Sequence, residues 1–243
     1  MSAVLSVSPS PLVSCIVPVF NGERYLSEAL ESVFAQSYPS VEVIAVDDGS
    51  TDATPEMLAA YEGRVRAVRQ ANEGPAAARN HGVRHARGSF LAFLDADDVW
   101  HREKLARQME RLTARPDLGF CLTHARNFWI PELQEEAERF RDHRISKPIP
   151  AYSAPTMVVR REAFDVVGNF NSELGFGHST EWFLRAEEKG IRGEVLPDVL
   201  YERRLHHKNR SRVLSSASRD EFLRLVKSRL DRRRRQAEPP AGD

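Results

Sequence analysis

Phe90-Leu91-Ala92-Phe93-Leu94-Asp95-Ala96-Asp97-Asp98 is the stretch on which the fold turns. Its five consecutive apolar residues read as a strand covered on both faces, which is the habit of parallel sheets. Three carboxylates within four residues then follow at the carboxyl end of that strand. Repulsion among them is costly unless something positive sits nearby. A hard divalent cation with oxygen ligands fits best, and Mg2+ or Mn2+ bridged to a phosphate is the usual solution. A solvated acidic turn is the plain alternative. It suits an exposed strand better than one built of five apolar residues.

The pattern upstream repeats the same unit. Val13–Val19 reads as a strand, and Leu26, Ala29, Leu30, Val33 and Phe34 mark one face of a helix. Val41–Val46 is a second strand, Thr54–Tyr61 a helix and Val65–Val68 a short strand. Gly74 and Pro75 open an Ala-rich helix that runs to Ala86. Downstream, Glu103–Leu112 reads as a helix and Gly119–Thr123 as a strand. Strands alternating with helices predict an α/β fold with a mostly parallel central sheet flanked by helices. Ligands of such sheets bind beyond the carboxyl ends of the strands. Three polar clusters lie there: Phe20–Glu23, Asp47–Asp52 and Asp95–Asp98.

Asp47-Asp48-Gly49-Ser50-Thr51-Asp52 has the composition of a tight βα turn with a helix cap. A carboxylate at that strand end can also accept hydrogen bonds from a base or a ribose. Pro18-Val19-Phe20-Asn21-Gly22-Glu23 lacks the glycine spacing of a dinucleotide site, and no phosphate loop of the Gly-Lys-Ser/Thr kind occurs. Any phosphates are therefore left to a metal and side chains.

The second half is less regular. Glu132–Arg144 reads as an exposed charged helix or loop, Ala154–Val159 as a strand and Arg161–Val167 as a short helix. Thr180–Lys189 reads as a helix ended by Gly190, and Ser218–Arg235 as a helix ending in four arginines. The expected division is a flexible N-terminus (1–11), an α/β ligand-binding half (12–125), an irregular acceptor-side and closing region of the same domain (126–217), and a basic C-terminal helix and tail (218–243).

The chain has 243 residues with 35 Lys+Arg against 35 Asp+Glu. That zero balance hides an asymmetry: residues 201–243 carry 13 Lys/Arg and 6 Asp/Glu, a net of +7, which leaves −7 for residues 1–200. The 41% hydrophobic share supports a packed core and excludes wholesale disorder. Cys15 and Cys121 are too few for a disulfide framework or a Cys-rich zinc site and read as small buried thiols. No apolar run approaches the roughly 18 residues of a membrane span, and Met1–Pro11 does not read as a signal peptide. A cytoplasmic protein is the expectation.

Val17-Pro18-Val19-Phe20-Asn21, Val46 to Asp52, Ala78-Arg79-Asn80-x-Gly82 and Phe93 to Asp98 occur in this order. Together they resemble the N-terminal half of family 2 glycosyltransferases, which have the GT-A fold. The resemblance covers residues 12–125 closely and the rest loosely. It implies a nucleotide-diphospho-sugar donor, UDP-linked by preference, lying across the carboxyl ends of the sheet. Pro18, Val19, Phe20 and Asn21, with Glu23, would line the base and ribose pocket, and Asp48 and Asp47 would meet the base. Arg79 would lie near the diphosphate or base. Asp95, Ala96 and Asp97 would form the Asp-x-Asp motif, with Asp97 the foremost ligand of Mn2+ or Mg2+, and Asp98 a helper. Inverting members use a carboxylate base to deprotonate the acceptor hydroxyl.

The base is where this chain departs from the family's pattern. The resemblance places a Glu-Asp pair where His178-Ser179 stands. Glu181 is the nearest carboxylate, although an acidic residue in a first helical turn also complements the helix dipole. Glu181 and His178 are both left as candidate bases. Arg203 to Asn209 resembles a C-terminal family segment, with His206 as a further metal ligand and Arg203, Arg204 or Lys208 as phosphate contacts; a solvated basic loop is the alternative. Trp100, Trp129 and Trp182 are sugar-stacking or core residues. The expected acceptor is a glycan, a lipid-linked molecule or another hydroxyl, and not a nucleic acid. Arg232–Arg235 would offer a peripheral contact to anionic headgroups at the inner membrane face. A donor-binding but catalytically weak module is a second reading. A phosphohydrolase of the haloacid dehalogenase type is a third, because Asp95-x-Asp97 follows a strand.

Overall fold

The structure, a computed structural model, describes residues 10–213, 220, 221, 223–225 and 227. β1 (Val13–Val19), β2 (Val41–Asp47), β3 (Arg66–Arg69) and β4 (Phe90–Phe93) pair in parallel in the order β3-β2-β1-β4. Their connections carry α1 (Leu26–Phe34), α2 (Thr54–Ala60) and α3 (Pro75–His85). β5 (Val99–Trp100), α4 (Lys104–Ala114), β6 (Leu118–Trp129), α5 (Gln134–Arg139), β7 (Ile149–Pro150), β8 (Val158–Arg160), α6 (Arg161–Val167), α7 (His178–Glu188), β9 (Arg192–Leu205) and α8 (Arg210–Val213) complete the described elements. The sheet continues from β4 through β8, β6, β9 and β5. β8 runs antiparallel to both β4 and β6, while β6 and β9 are parallel.

Every residue of β1 is buried because both faces of the sheet are covered. Odd-numbered Val13, Cys15, Val17 and Val19 pack with α1 and with Leu105, Met109 and Leu112 of α4. Even-numbered Ile16 joins Ile44, Val46, Phe93, α3 and the α6–α7 pair on the other face. This two-residue alternation is the strand's own geometry. It explains why a sequence without alternating polarity forms these strands.

Pro18 is tolerated inside β1 for a directional reason. Leu12 O and Ile16 O accept from Phe90 N and Leu94 N on the β4 side, whereas Val19 O accepts from Asp48 N on the β2 side. Even-numbered residues thus face β4, and the β1–β4 pairing ends at Ile16–Phe93. The N–H that proline lacks falls past the last registered pair of that ladder.

Two expectations need correction, and one strand was not foreseen. The strand read at Gly119–Thr123 is the front of a twelve-residue strand, Leu118–Trp129. The strand read at Ala154–Val159 divides into a 3-10 turn, Ala154–Thr156, and β8, because Pro155 cannot donate to a ladder. The fourteen-residue β9 went unread in the sequence. Of the helix read at Ser218–Arg235, Asp220, Glu221, 223–225 and 227 are helical. Arg232–Arg235 and residues 1–9 lie outside the described residues. Among the described residues no helix is long and apolar enough to cross a membrane. Cys15 and Cys121 are both free and buried, and burial pushes each thiol up to about 12.

Candidate donor site at the strand ends

The carboxyl ends of β1, β2 and β4 bring the three polar clusters to one edge of the sheet. The first two zip together. Asn21 sits at φ 51, a left-handed conformation that asparagine tolerates. Its N–H donates to Ser50 Oγ (2.9 Å), and its Oδ1 accepts from Thr51 N (2.8 Å). Gly22 N donates to Thr54 Oγ1 (2.9 Å) and Glu23 N to Asp52 Oδ2 (3.1 Å), while Glu23 Oε2 accepts from Ala53 N (3.2 Å). Asn21 and Glu23, two expected pocket residues, therefore spend their side chains on the shape of the loop. Pro18 and Val19 are buried in β1, and Phe20 is half exposed at its end.

Asp47 and Asp48 differ sharply. Asp48 accepts from Gln70 Nε2 (2.8 Å), Glu73 N (2.9 Å) and Gly74 N (2.9 Å), which anchors the entry to α3. Asp47 Oδ1 accepts from Ser50 N (2.8 Å). Its Oδ2 is buried with no hydrogen-bond partner, 3.4 Å from the Arg69 guanidinium. Asp47 is thus the one of the pair with an oxygen that no hydrogen bond occupies.

Asp95 and Asp97 are each gripped by a residue from elsewhere in the chain. Buried Arg79 of α3 donates from Nη2 to Asp95 Oδ1 and from Nη1 to His178 Nε2 (2.7 Å). Arginine only donates, so His178 Nε2 accepts and the ring proton lies on Nδ1. Burial, with the charges of Arg79 and Arg210, pushes His178 down to about 3. His178 Nδ1 and Arg79 Nε are buried donors with no hydrogen-bond partner. At the other carboxylate, His206 Nε2 lies 2.9 Å from Asp97 Oδ2, and Asn209 Nδ2 donates to the same oxygen at 3.3 Å. The Tyr25 ring rests 4.9 Å from that of His206.

Arg204 closes this edge. It donates from Nε to Asp97 O (2.8 Å) and from Nη2 to Glu28 Oε2 (2.6 Å), with its guanidinium over Tyr25 and Phe128. Asp98 turns inward instead, accepting from Tyr201 Oη and from Arg204 N (2.7 Å). Burial, with the charges of Asp97 and Asp95 adding, holds its carboxyl well above the ordinary range. Asp98 is a buried anchor of β9. Ala96 is packed against the core as well as lying between the two carboxylates.

The two candidate bases are both engaged. Glu181 Oε1 accepts from Arg185 Nε (2.7 Å) and Oε2 from Arg185 Nη2 (2.9 Å). Arg185 also donates to Val167 O and Asn169 O, so Glu181 belongs to the packing of α7 on α6. Trp182 is fully buried, and Trp100 is buried with Nε1 on Pro155 O (3.1 Å). Trp129 is half-buried and donates to Glu136 Oε1 (3.1 Å). These are packing roles. Tyr25, Glu28, Asn209 and Tyr201 were missed in the sequence; only their partners across the fold reveal them.

Among the described residues no cluster of three His, Cys, Asp or Glu forms a ready metal cage. Asp97 and His206 are nevertheless a suitable pair, because Mg2+ and Mn2+ are commonly held by one or two protein ligands with waters and substrate phosphates. His206 Nδ1 accepts from Lys208 N at a long 3.3 Å, so a tautomer with a free Nε2 lone pair gives up that weak contact and the Nε2–H bond to Asp97, whose place a bound ion would take.

The glycosyl transferase family 2 profile matches residues 14–168. The chain belongs to that family. An uncharacterized glycosyltransferase of Rickettsia typhi is 28% identical over 200 residues, covering 77% of this chain and 63% of the relative. Crystal structures of Staphylococcus aureus TarS 1–349, one in complex with UDP-GlcNAc, share the fold; that complex has a TM-score of 0.65 at 23% identity, covering 82% of this chain and 60% of that one. The mannosyltransferase PcManGT from Pyrobaculum calidifontis, in complex with GDP-Man and Mn2+, matches with a TM-score of 0.63 at 25% identity, covering 82% of this chain and 58% of that one. The chain thus spans less than two thirds of the length of each of these three. The fold is GT-A, as the sequence motifs led us to expect. The profile match displaces the phosphohydrolase alternative, whose motif belongs on a first strand, whereas Asp95 follows β4.

Proposed function

We propose that the protein is a glycosyltransferase that moves a sugar from a nucleotide-diphospho-sugar, a UDP-sugar first, to an acceptor hydroxyl with inversion at C1. The observation that carries this reading is the meeting of Asp97 with His206 beside the Arg79–Asp95 pair, on the edge where the strands end. Asp97 and His206 would hold Mn2+ or Mg2+. When bound, such an ion neutralises the charge that develops on the diphosphate leaving group. Phe20 offers its exposed ring to the base, and Asp47 Oδ2 would meet a base N–H once the exposed Arg69 side chain swings aside. Arg79 orients Asp95 and places a guanidinium near the phosphates. Asn21, Glu23 and Asp48 serve by shaping the loops. In the reaction the acceptor oxygen bonds to C1, the C1–O bond to the diphosphate breaks, and the acceptor proton leaves to a base.

Glu181 and His178, the two candidate bases, are both engaged in this arrangement. The first is clamped to Arg185, and the second is already a neutral Nδ1–H donor whose Nε2 faces an arginine. This engagement favours a second reading, a donor-binding protein of weak transfer activity. A panel of UDP-GlcNAc and GDP-mannose with Mn2+, assayed for donor hydrolysis and for transfer to glycan and lipid-linked acceptors, tests both. Mn2+-dependent transfer supports the first reading. Tight nucleotide binding without turnover on any acceptor supports the second, and no nucleotide binding contradicts both.

A further inference from the structure

The loop before α7 is held by the C-terminal segment. Three consecutive backbone N–H groups, those of Gly175, Phe176 and Gly177, converge on the carboxylate of Glu221: Gly175 at 2.9 Å on Oε2, Phe176 at 2.7 Å on Oε1, and Gly177 also on Oε1. Successive N–H groups turned to one point form an anion-binding concavity, and here they sit at the positive end of an eleven-residue helix. The acidic residue of α7's own first turn, Glu181, is committed to Arg185.

The grip has other points. The Arg210 guanidinium lies 5.1 Å from the Phe176 ring centroid. At Gly177 an added Cβ would come within 2.3 Å of Leu225 Cδ1, so the segment packs against bare backbone. Burial alone would raise the Glu221 carboxyl, but the three N–H groups outweigh it and hold it below the ordinary range, charged at neutral pH. The residue next to this loop is His178, which accepts from Arg79, which in turn grips Asp95.

We propose that Glu221 is a positioning residue that latches the C-terminal segment onto residues 175–177 and so holds His178 and Arg79 in the pose that presents Asp95 to the donor. The part played toward the donor rests on the function proposed above; the latch itself does not. Glu221 lies beyond the profile match, which ends at residue 168. The segment thereby acquires a role beyond its net positive charge.

Hydrogen exchange reads the latch without any donor. Glu221→Ala is expected to speed exchange of the 175–177 amides by about tenfold or more while β1 amides keep native protection. With UDP-GlcNAc and Mn2+, the same variant is expected to lower turnover about tenfold with the donor KM within about twofold, because the nucleotide is held elsewhere. Glu221→Asp, which keeps the charge, is expected to recover part of the lost turnover. Native exchange at 175–177, native turnover, or a matching loss of β1 protection would each overturn the proposal. If the wild-type protein turns over neither UDP-GlcNAc nor GDP-mannose, the donor reading fails; the exchange result then decides the latch alone, with lost protection supporting it and native protection overturning it.

Discussion

The two halves of the sheet hold their polar residues in opposite ways. In the parallel half Asn21, Glu23, Asp48 and Asp52 are tied to backbone N–H groups of the neighbouring βα loops, 26 to 30 positions away. In the closing half, contacts span the chain: Asp97 meets His206 109 positions away, and Arg79 meets His178 99 positions away. The first half builds a rigid rim from hydrogen bonds between adjacent βα loops. The second delivers the few groups able to charge that rim for chemistry. The loops are therefore expected to tolerate loss of long-range partners, while the site does not.

Breaking the long-range side should have the largest effect. Arg204→Ala removes donors to Asp97 O and Glu28 and strips two aromatic rings of their cation. We expect a loss of about 3 kcal/mol in denaturant unfolding together with the loss of metal-dependent UDP binding. Retained binding would mean that the rim suffices by itself.

The adjacent pair Asp47 and Asp48 sharpens the contrast within one strand end. Asp48→Ala leaves Gln70 Nε2 and two backbone N–H groups without their acceptor and should cost about 2 kcal/mol of stability. Asp47→Asn should keep stability within about 1 kcal/mol and weaken UDP about tenfold, since it alters the oxygen that no hydrogen bond occupies and weakens only its contact with exposed Arg69. Calorimetry and urea titration on both variants would expose the reverse order, if it holds.

Lys104 lies at the seam, fully buried on α4, donating to Gln108 Oε1 (2.8 Å) with its ammonium 4.1 Å from the Trp100 ring. Burial drives it down from 10.5 to about 7, with Cys15 and Cys121 acting weakly the other way. The folded pKa is depressed, so the penalty is full below pH 7 and fades as pH rises from about 7 to 10.5. Lys104→Met is expected to stabilise by about 1 kcal/mol at pH 6 and to show no gain near pH 10. Urea midpoints at the two pH values check this; an equal gain at both would contradict the buried-charge account.

The smallest effect is expected at Glu181. Glu181→Gln neutralises one side of a mostly buried (i, i+4) ion pair but keeps an acceptor for Arg185, a cost of about 0.5 kcal/mol. Donor turnover should stay within about threefold of wild type. A loss of several orders of magnitude would restore Glu181 as the base.

What the sequence made legible follows the same division. β1, β2, β4 and their helices were readable because runs such as Phe90–Leu94 and the 3.6-residue period of α1 are local signals. β9 was hidden because its polar, half-buried residues include Pro197. The register jumps there from Leu196 against Thr123 to Val199 against His124, so Pro197 and Asp198 bulge out of a ladder that needs no N–H from them. Pairing with β6 makes it a strand, not its own pattern. The carboxylates at the strand ends were legible as a group. Which of them is spent was not, because the donors that occupy Asp48 and Asp98 lie on other turns and strands.

Titration of UDP into the protein with and without Mn2+, repeated on Asp97→Asn, tests the central claim most directly. The account predicts binding that strengthens at least about tenfold with Mn2+ in the wild type and loses that dependence in Asp97→Asn. Equal affinity with and without the metal, or metal dependence that survives in Asp97→Asn, would contradict it.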